Sequence, residues 1–497
     1  MRYVKPAFLL FLLLNGVAAL VAAIREPSLL WLPALSTPLL ALGLYDLIQT
    51  RNTILRNFPV LGHFRYFSEA IAPEIQQYFI ERHTDGTPIS RNHRNLINAR
   101  ARGESPTHPF GTELDLYSEH YSGLAHSIFP VSPLKEAPRV TIGNEQCSQP
   151  YSASLLNISA MSYGALGHTA IRSLSLGAKQ GGFYLNTGEG SLTEHHLHGK
   201  CDIVWQIGTG YFGCRHEDGS FNSDAFTLKA NKPEVKMIEL KISQGAKPGH
   251  GGVLPASKNS KEIAKIRMVE PGTTILSPPG HSEFHDAAGL LKFLKRLRSL
   301  SSGKPVGFKL CLGQRTQFTA ICEQMSALDI YPDFITVDGA EGGTGAAPLE
   351  YSDAVGIPLR PALVFAHEEL QRHGLRDKVK LIASGKIINA FDLLRALTLG
   401  ADCCNAARAF MVSLGCIHAL RCDTNRCPSG VATLDPQLTK GLVISEKKDR
   451  VTAFQEKTLE AVLELSAACG SADPRELPHD LLLSGREWSQ YADVTPG

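Results

Sequence analysis

The sequence predicts an α/β protein: a (β/α)8 barrel preceded by a transmembrane helical hairpin. Three observations predict it. Eight apolar runs of strand length, separated mostly by helix-length segments, lie between Leu155 and Ala406. Such alternation implies a parallel sheet, and eight units imply closure. The last two runs end in small residues plus a cation, which fits either an anion-binding barrel rim or an ordinary strand–helix–strand crossover with a capped helix. Two apolar runs open the chain, each about the 20 residues needed to cross a bilayer core.

The 497 residues are 43% hydrophobic and 20% charged, enough for a large core in two or three domains. The expected division is an anchor over 1–50, a connecting or strap region over 51–150, the barrel over 151–436, and a helical extension over 437–497. Formal net charge is +2 with no block of like charges, so the electrostatic footprint of a nucleic-acid partner is absent. Eleven cysteines without paired spacings point to a reducing compartment.

Pro6–Ile24 carries no charge, and Leu29–Leu47 carries only Asp46 near its end. Arg2 and Lys5 precede the first run, and Arg51 and Arg56 follow the second. Cations at both outer ends place both in the cytoplasm, with an inner-membrane hairpin between them in membrane lipid. A signal peptide and a buried soluble hairpin are the alternatives. Beyond the hairpin, Pro73–Glu81 reads as a short amphipathic helix with proline in its first turn. Arg91, His93, Arg94, Arg100 and Arg102 form a basic stretch, read as a solvated face or a strap on the barrel, or as a contact for anionic lipid.

The eight runs are Leu155–Ala160, Phe183–Asn186, Ile203–Gln206, Met237–Ile242, Val306–Lys309, Phe334–Asp338, Lys380–Ala383 and Cys403–Ala406. Thr274–Ser277 is a ninth candidate, placed in a long insertion after the fourth. Active sites of such barrels follow the strands' C-terminal ends. After the first run, Ala160-Met161-Ser162 opens a small-residue turn that a flat ring can approach, or a plain turn. After the third, Gly208-x-Gly210-x-x-Gly213 has dinucleotide spacing, but the polar stretch from Cys214 opens no helix, which argues against that use. After the fourth, Gln244-Gly-Ala-Lys247-Pro-Gly-His250 is glycine-rich but lacks the ending of a triphosphate-binding loop. The fifth ends in Lys309, a cation able to neutralise developing negative charge or hold a carboxylate. A helix over Thr452–Ala468 is expected to pack outside the barrel.

Residues 379–431 carry the densest signal. A strand stops at Ser384-Gly385-Lys386. A helix over Phe391–Leu399 follows, with Gly400 placed as its C-cap glycine, and a second strand ends at Ala407-Arg408. Cys416-x5-Cys422-x4-Cys427-Pro428 then packs three thiols into one loop. An iron–sulfur cluster, a zinc site completed by His418, and chance clustering all remain open for those thiols.

The run Gly-Cys416-Ile-His-x3-Cys422-x-Thr-Asn-Arg-Cys427-Pro-Ser-Gly-Val-Ala-Thr resembles the 3Fe-4S cysteine loop of the glutamate synthase family. The likeness extends from about Leu155 to about Pro436. The resemblance implies an FMN-linked barrel whose FMN phosphate lies on Ser384, Gly385, Lys386, Ala407 and Arg408. It places Ala160, Met161, Ser162, Lys309, Gly343 and Thr344 near the flavin. Glu189 (in Asn186-Thr-Gly-Glu-Gly), Gln244, Lys247 and Lys309 are the implied catalytic residues, with Glu189 a general acid or a ligand of the amino nitrogen. Cys416, Cys422 and Cys427 are the implied ligands of a 3Fe-4S cluster. Gln314 and Arg315 are looser matches, and His281 falls in a Pro-Pro-x-His loop where a structural histidine is expected. His250 stands where the family has glutamate.

The activity so implied belongs to an oxidoreductase acting on CH–NH2 donors, reducing 2-iminoglutarate, formed from 2-oxoglutarate and ammonia, to L-glutamate. Electrons would pass from the cluster to FMN and a hydride from the flavin to the imine carbon. No glutaminase or pyridine-nucleotide domain is recognised, so ammonia or another amine would come free or from a partner, and electrons from ferredoxin, a partner subunit or the membrane. Two further readings keep the cofactors: an N-methylglutamate synthase-like enzyme with another amine, and a membrane electron-transfer protein.

Overall fold

Each apolar run between Leu155 and Ala406 forms a strand buried along nearly its whole length, because helices cover a barrel strand outside and side chains fill the inside. The strands are β1 (Leu156–Ile158), β2 (Leu185–Asn186), β3 (Ile203–Ile207), β4 (Val235–Lys241), β5 (Val306–Leu310), β6 (Phe334–Asp338), β7 (Lys380–Ser384) and β8 (Cys403–Ala406). They pair in parallel and close in the order β5-β6-β7-β8-β1-β2-β3-β4. The computed structural model describes residues 4–491, in one unit ending at Gly86 and a second, holding the barrel, beginning at Thr87.

One carboxylate ties the barrel's interior. Glu239 of β4 accepts from Asn186 Nδ2 of β2 at 2.7 Å, Gln206 Nε2 of β3 at 2.6 Å and Thr336 Oγ1 of β6 at 2.7 Å. Donors from three strands satisfy a group that would be costly to bury alone. The register sets Lys309 beside Lys241, and Asp338 beside Ser384, at the strands' C-terminal ends. The start of β6 is held by buried Asp333, which accepts from Arg298 Nη2 at 2.9 Å and from the Asn144 amide at 2.9 Å.

The ninth candidate strand forms as Ile275–Leu276, pairing antiparallel with Val253–Leu254 inside the insertion after β4. The C-terminal helix runs over Ile444–Ala468, two turns longer than expected, because its first residues are charged helix formers without an apolar period. The basic stretch forms the helix Arg91–Ala101, capped by Ser90, whose Oγ accepts from the His93 amide. Arg94 and Arg100 are buried in this second unit, which corrects the solvated-face and lipid-contact readings for those two residues.

In the first unit, α1 (Val4–Arg25) and α2 (Trp31–Ile48) are joined by the turn Pro27–Leu29. Both are long and apolar enough to cross a membrane, and most of their leucines face outward. Gly43 leaves room for the Phe8 ring, where any Cβ would collide with it. Asn15 donates to Ser36, and buried Asp46 accepts from the Val60 amide at 2.9 Å and lies 3.0 Å from His63 Nε2. Lys5 sits in the first turn of α1 and Arg51 follows α2, while Arg2 lies outside the described residues. Pro73 does not open a helix as expected. It sits near the end of Leu61–Ile75, and the next residues, Gln76–Ile80, widen into a π turn. A proline's missing N–H removes only its own bond to the turn before it, so a helix already formed from Leu61 carries it near its end.

Phe410 locks the last strand's helix to the periphery, stacked 5.7 Å from Phe183 and edge-on 5.2 Å from Phe454. Phe410→Ala is expected to lower unfolding free energy by about 3–5 kcal/mol, measured by chemical denaturation of the purified chain.

Candidate active site

The loops after the strands enclose a cavity of about 320 Å³, reaching from the end of β4 to the cysteine loop. Seven basic side chains and three carboxylates line it. Five of the cations, Lys241, Lys247, Lys258, Arg267 and Lys309, are buried, and such an excess of buried positive charge is stable only with anions present or with some cations neutralised.

At the β4–β5 end, Glu189 and Lys241 form an ion pair of 2.9 Å, and both are largely buried. Gly252 and Gly208 make room for that carboxylate, since a Cβ on either would strike Glu189. Burial alone would raise the Glu189 carboxyl, but Lys241, Lys247 and Arg267 hold it below the ordinary carboxylate range. It is therefore an anion at neutral pH, suited to binding a nitrogen rather than to giving a proton. Lys247 donates to the Ala346 carbonyl at 2.7 Å, and burial pushes it down to about 8 against the pull of Glu189. That makes Lys247 the better proton donor near neutrality. Lys309 lies 3.8 Å from Asp338, whose Oδ2 also accepts from the Gly245 amide at 2.9 Å. Gln244 lines the same wall.

At the β7–β8 end, Gly385 and Lys386 both take positive φ, at 144° and 50°. The Gly385 geometry favours glycine. Burial lowers Lys386, and the neighbouring Arg408 charge lowers it further. Arg408 Nη2 donates to the Glu341 carbonyl at 2.6 Å. Two mutually repelling cations on one cavity wall, with Ser384 and Ala407 beside them, fit a phosphate dianion. Gly343 packs on Arg408, where a Cβ would come within 3.0 Å of the guanidinium. Ala160, Met161, Ser162 and Thr344 complete the lining. These residues fit FMN: cations for the phosphate, and small residues where a ring must approach backbone.

The cysteine loop borders the cavity through Cys416 and Cys422, while Cys427 is buried behind them. The loop turns through positive φ at His418, Leu420 and Asn425. Burial pushes the Cys416 thiol up to about 11, and Cys422 and Cys427 are close enough to add to that. The His418 amide donates to Cys416 Sγ at 3.5 Å, and Arg94 Nη1 meets His418 Nδ1 at 3.0 Å. Among the described residues, no three His, Cys, Asp or Glu side chains close on one metal-ligating point. All three thiols are free. Three adjacent thiols with an amide aimed at sulfur are the donor set an iron–sulfur cluster takes.

All the residues singled out for FMN and catalysis meet at this one cavity. Gln314 and Arg315 do not; the Arg315 guanidinium lies over Phe365, 5.1 Å from its centroid, among the outer helices. His281 is a packed histidine between the Lys241 carbonyl (2.8 Å) and the Tyr211 hydroxyl (3.0 Å), and burial lowers it to about 4. His250 borders a smaller pocket shared with Glu189 and Lys247. Sequence reasoning passed over Lys241, although it lies at the C-terminal end of its strand in register with Lys309. It also passed over Arg267, which reaches the Tyr163 carbonyl at 3.2 Å from the insertion and has no local signal.

A family model described as the conserved region in glutamate synthase matches residues 114–472. The chain is 38% identical over 467 residues to the glutamate synthase large subunit-like protein YerD of Bacillus subtilis, covering 86% of this chain and 88% of that protein. It is 36% identical over 284 residues to the archaeal-type glutamate synthase (NADPH) of Thermotoga maritima, covering 57% of this chain and 53% of that one, about half the relative's length. Among solved structures, the L230A mutant of flavocytochrome b2 with benzoylformate overlaps at a TM-score of 0.46 and 14% identity, over 86% of this chain and 94% of that one.

Removing Glu189 alone strands the Lys241 ammonium in the cavity wall. Glu189→Ala is expected to cost about 3 kcal/mol of stability. Adding Lys241→Met should recover most of it, as read by denaturant midpoints. Additive losses in the double variant would show that the two side chains do not depend on each other.

Proposed function

Because the chain belongs to the glutamate synthase family and is a glutamate synthase-like oxidoreductase, we propose that it converts 2-oxoglutarate and ammonia to L-glutamate through 2-iminoglutarate. The proposed cofactors are FMN and a 3Fe-4S cluster, in a catalytic unit tethered to the cytoplasmic face of the inner membrane. The carrying observation is the charge of the cavity. Seven cations against three carboxylates leave positive charge for a phosphate at Lys386 and Arg408, and for a dicarboxylate near Lys241 and Lys309.

Condensation of the oxo-acid with ammonia expels water, and reduction adds a hydride to C2 and a proton to nitrogen. Bound FMN would supply the hydride, and a cluster on Cys416, Cys422 and Cys427 the electrons that restore it. The chain's own residues do the rest. Lys309 and Lys241 hold the substrate carboxylates, and the Glu189 carboxylate orients the nitrogen by accepting its hydrogens. Lys247 gives a proton to the departing hydroxyl and to the imine nitrogen, and Gln244 helps place the substrate. A substrate clamp of this kind favours an enzyme over a pure electron carrier, which has no need of one. The donor is proposed to be ferredoxin, a partner subunit or a membrane reductant. The two apolar helices support the tether.

The deciding experiment supplies dithionite-reduced protein, purified in detergent without oxygen, with 2-oxoglutarate and either ammonium or methylamine. Mass spectrometry should find L-glutamate. N-methylglutamate in its place would assign another amine, and reduced flavin with no product from any amine would leave an electron carrier. The same preparation should hold close to three irons per chain, and Cys422→Ser should lose iron while keeping FMN. Stoichiometric zinc would end the cluster reading.

Because Lys247 must be protonated to act and is lowered to about 8, turnover should be level below that pH and fall about tenfold per pH unit above it. A kcat profile flat to pH 9.5 would assign the proton to another group.

A further inference from the structure

One buried lysine of the insertion after β4 belongs to neither the substrate end nor the phosphate end of the cavity. Lys258 closes the short turn Ala256–Lys258 and is 1% exposed. Its Nζ donates to three main-chain carbonyls: Ala165 at 2.5 Å, in the turn after β1, Cys422 at 3.0 Å, and Ala432 at 3.1 Å, beyond the cysteine loop. A neutral amine has two N–H groups, whereas an ammonium has three and no lone pair. Three carbonyl acceptors therefore specify the charged form.

No carboxylate is within ion-pair distance of Nζ among the described residues. The groups of negative character around it are the Cys422 and Cys427 thiols and Asp423, and the other nearby cation is Arg267. A buried cation whose only polar contacts are dipoles costs free energy unless a counter-charge lies near. Two of the three proposed cluster ligands are the groups placed to provide it. Lys258 also lines the cavity assigned to the flavin, as Cys416 and Cys422 do, so its charge is shared between that cavity and the thiols' surroundings.

From this geometry we propose that Lys258 is a positioning residue for the cluster. It pins the cysteine loop to the β1 turn through the Cys422 carbonyl, and its charge biases the cluster toward its reduced, more negative state. The inference rests on the proposed cluster and goes beyond its ligands. A fixed positive charge in a low-dielectric surrounding stabilises added negative charge by Coulomb attraction, so the potential should depend on that charge and not merely on the fold.

The test uses the full-length protein in detergent without oxygen, in three forms: wild type, Lys258→Gln and Lys258→Arg. Iron and flavin content, thermal unfolding, and the cluster's electron paramagnetic resonance signal during a mediated dithionite titration are read for each. Lys258→Gln should keep its flavin and its melting temperature. Its reduced-to-oxidised cluster ratio at a fixed potential should fall about tenfold, which is ~59 mV for a one-electron couple. Lys258→Arg should stay within about twofold of wild type. An iron-loaded Lys258→Gln that titrates as wild type overturns the inference. Iron lost from Lys258→Gln and kept by Lys258→Arg supports it, because only the charge then holds the loop. Iron lost from both overturns it, since the site then tolerates no change of any kind. Wild type without iron would instead defeat the cluster itself and leave the FMN assignment to be judged separately.

Discussion

Surplus positive charge buried at one mouth of the barrel is the constraint on which the rest of the site depends. Lys241, Lys247, Lys258, Arg267, Lys309, Lys386 and Arg408 line one cavity beside the carboxylates Glu189, Asp338 and Asp423, with Glu341 acting on Lys386 and Arg408 from behind the wall. In water such a set would repel at little cost. In a cavity walled by apolar strands, loss of water lowers Lys247 and Lys386 first, and the neighbouring cations Lys241 and Arg408 add to it. Anionic ligands would relieve the repulsion, which is the physical ground for proposing a phosphate and a dicarboxylate there. Glu189 counters Lys241 at one end, while Lys386 and Arg408, at the other, both feel the Glu341 carboxylate.

Holding that charge apart requires a rigid floor. The Glu239 knot supplies it by joining β2, β3, β4 and β6 through side-chain hydrogen bonds beneath the cavity. Asn186, one of its donors, lies three residues before Glu189, so the carboxylate that binds Lys241 hangs from the same strand end that is tied to Glu239. The insertion after β4 adds the upper wall. Arg267 spans from Phe212, 5.1 Å away, to the Tyr163 carbonyl, and Lys258 reaches the cysteine loop from the same insertion.

The site also draws on chain that precedes the matched glutamate synthase region at residue 114. Pro88 and Ile89 line the cavity, and Arg94 meets His418 between the first two cysteines. Arginines that read as a basic surface stretch therefore serve inside the protein. The cysteine loop is approached by a cation on either side, Arg94 from this helix and Lys258 from the insertion.

Sequence alone determined the barrel. All eight strands formed where their apolar runs lay, because a strand covered on both faces must be apolar almost without interruption. Gly400 and Gly385, both at positive φ, were legible for the same local reason: one ends a helix and the other turns a strand into a loop. The two apolar helices and the cysteine run were equally plain from length and spacing. What only the tertiary structure decided is which polar groups face one another. Lys241 acquires its meaning from Glu189, 52 residues earlier in the chain, and Lys258 from three carbonyls contributed by segments far apart in sequence. Pro73 was misplaced because a helix starting at Leu61 could absorb it near its end, a choice governed by the preceding turns and not by the proline itself. Periodicity reports what a segment must bury. The pairing of buried charges depends on distances that exist only after the chain has closed on itself.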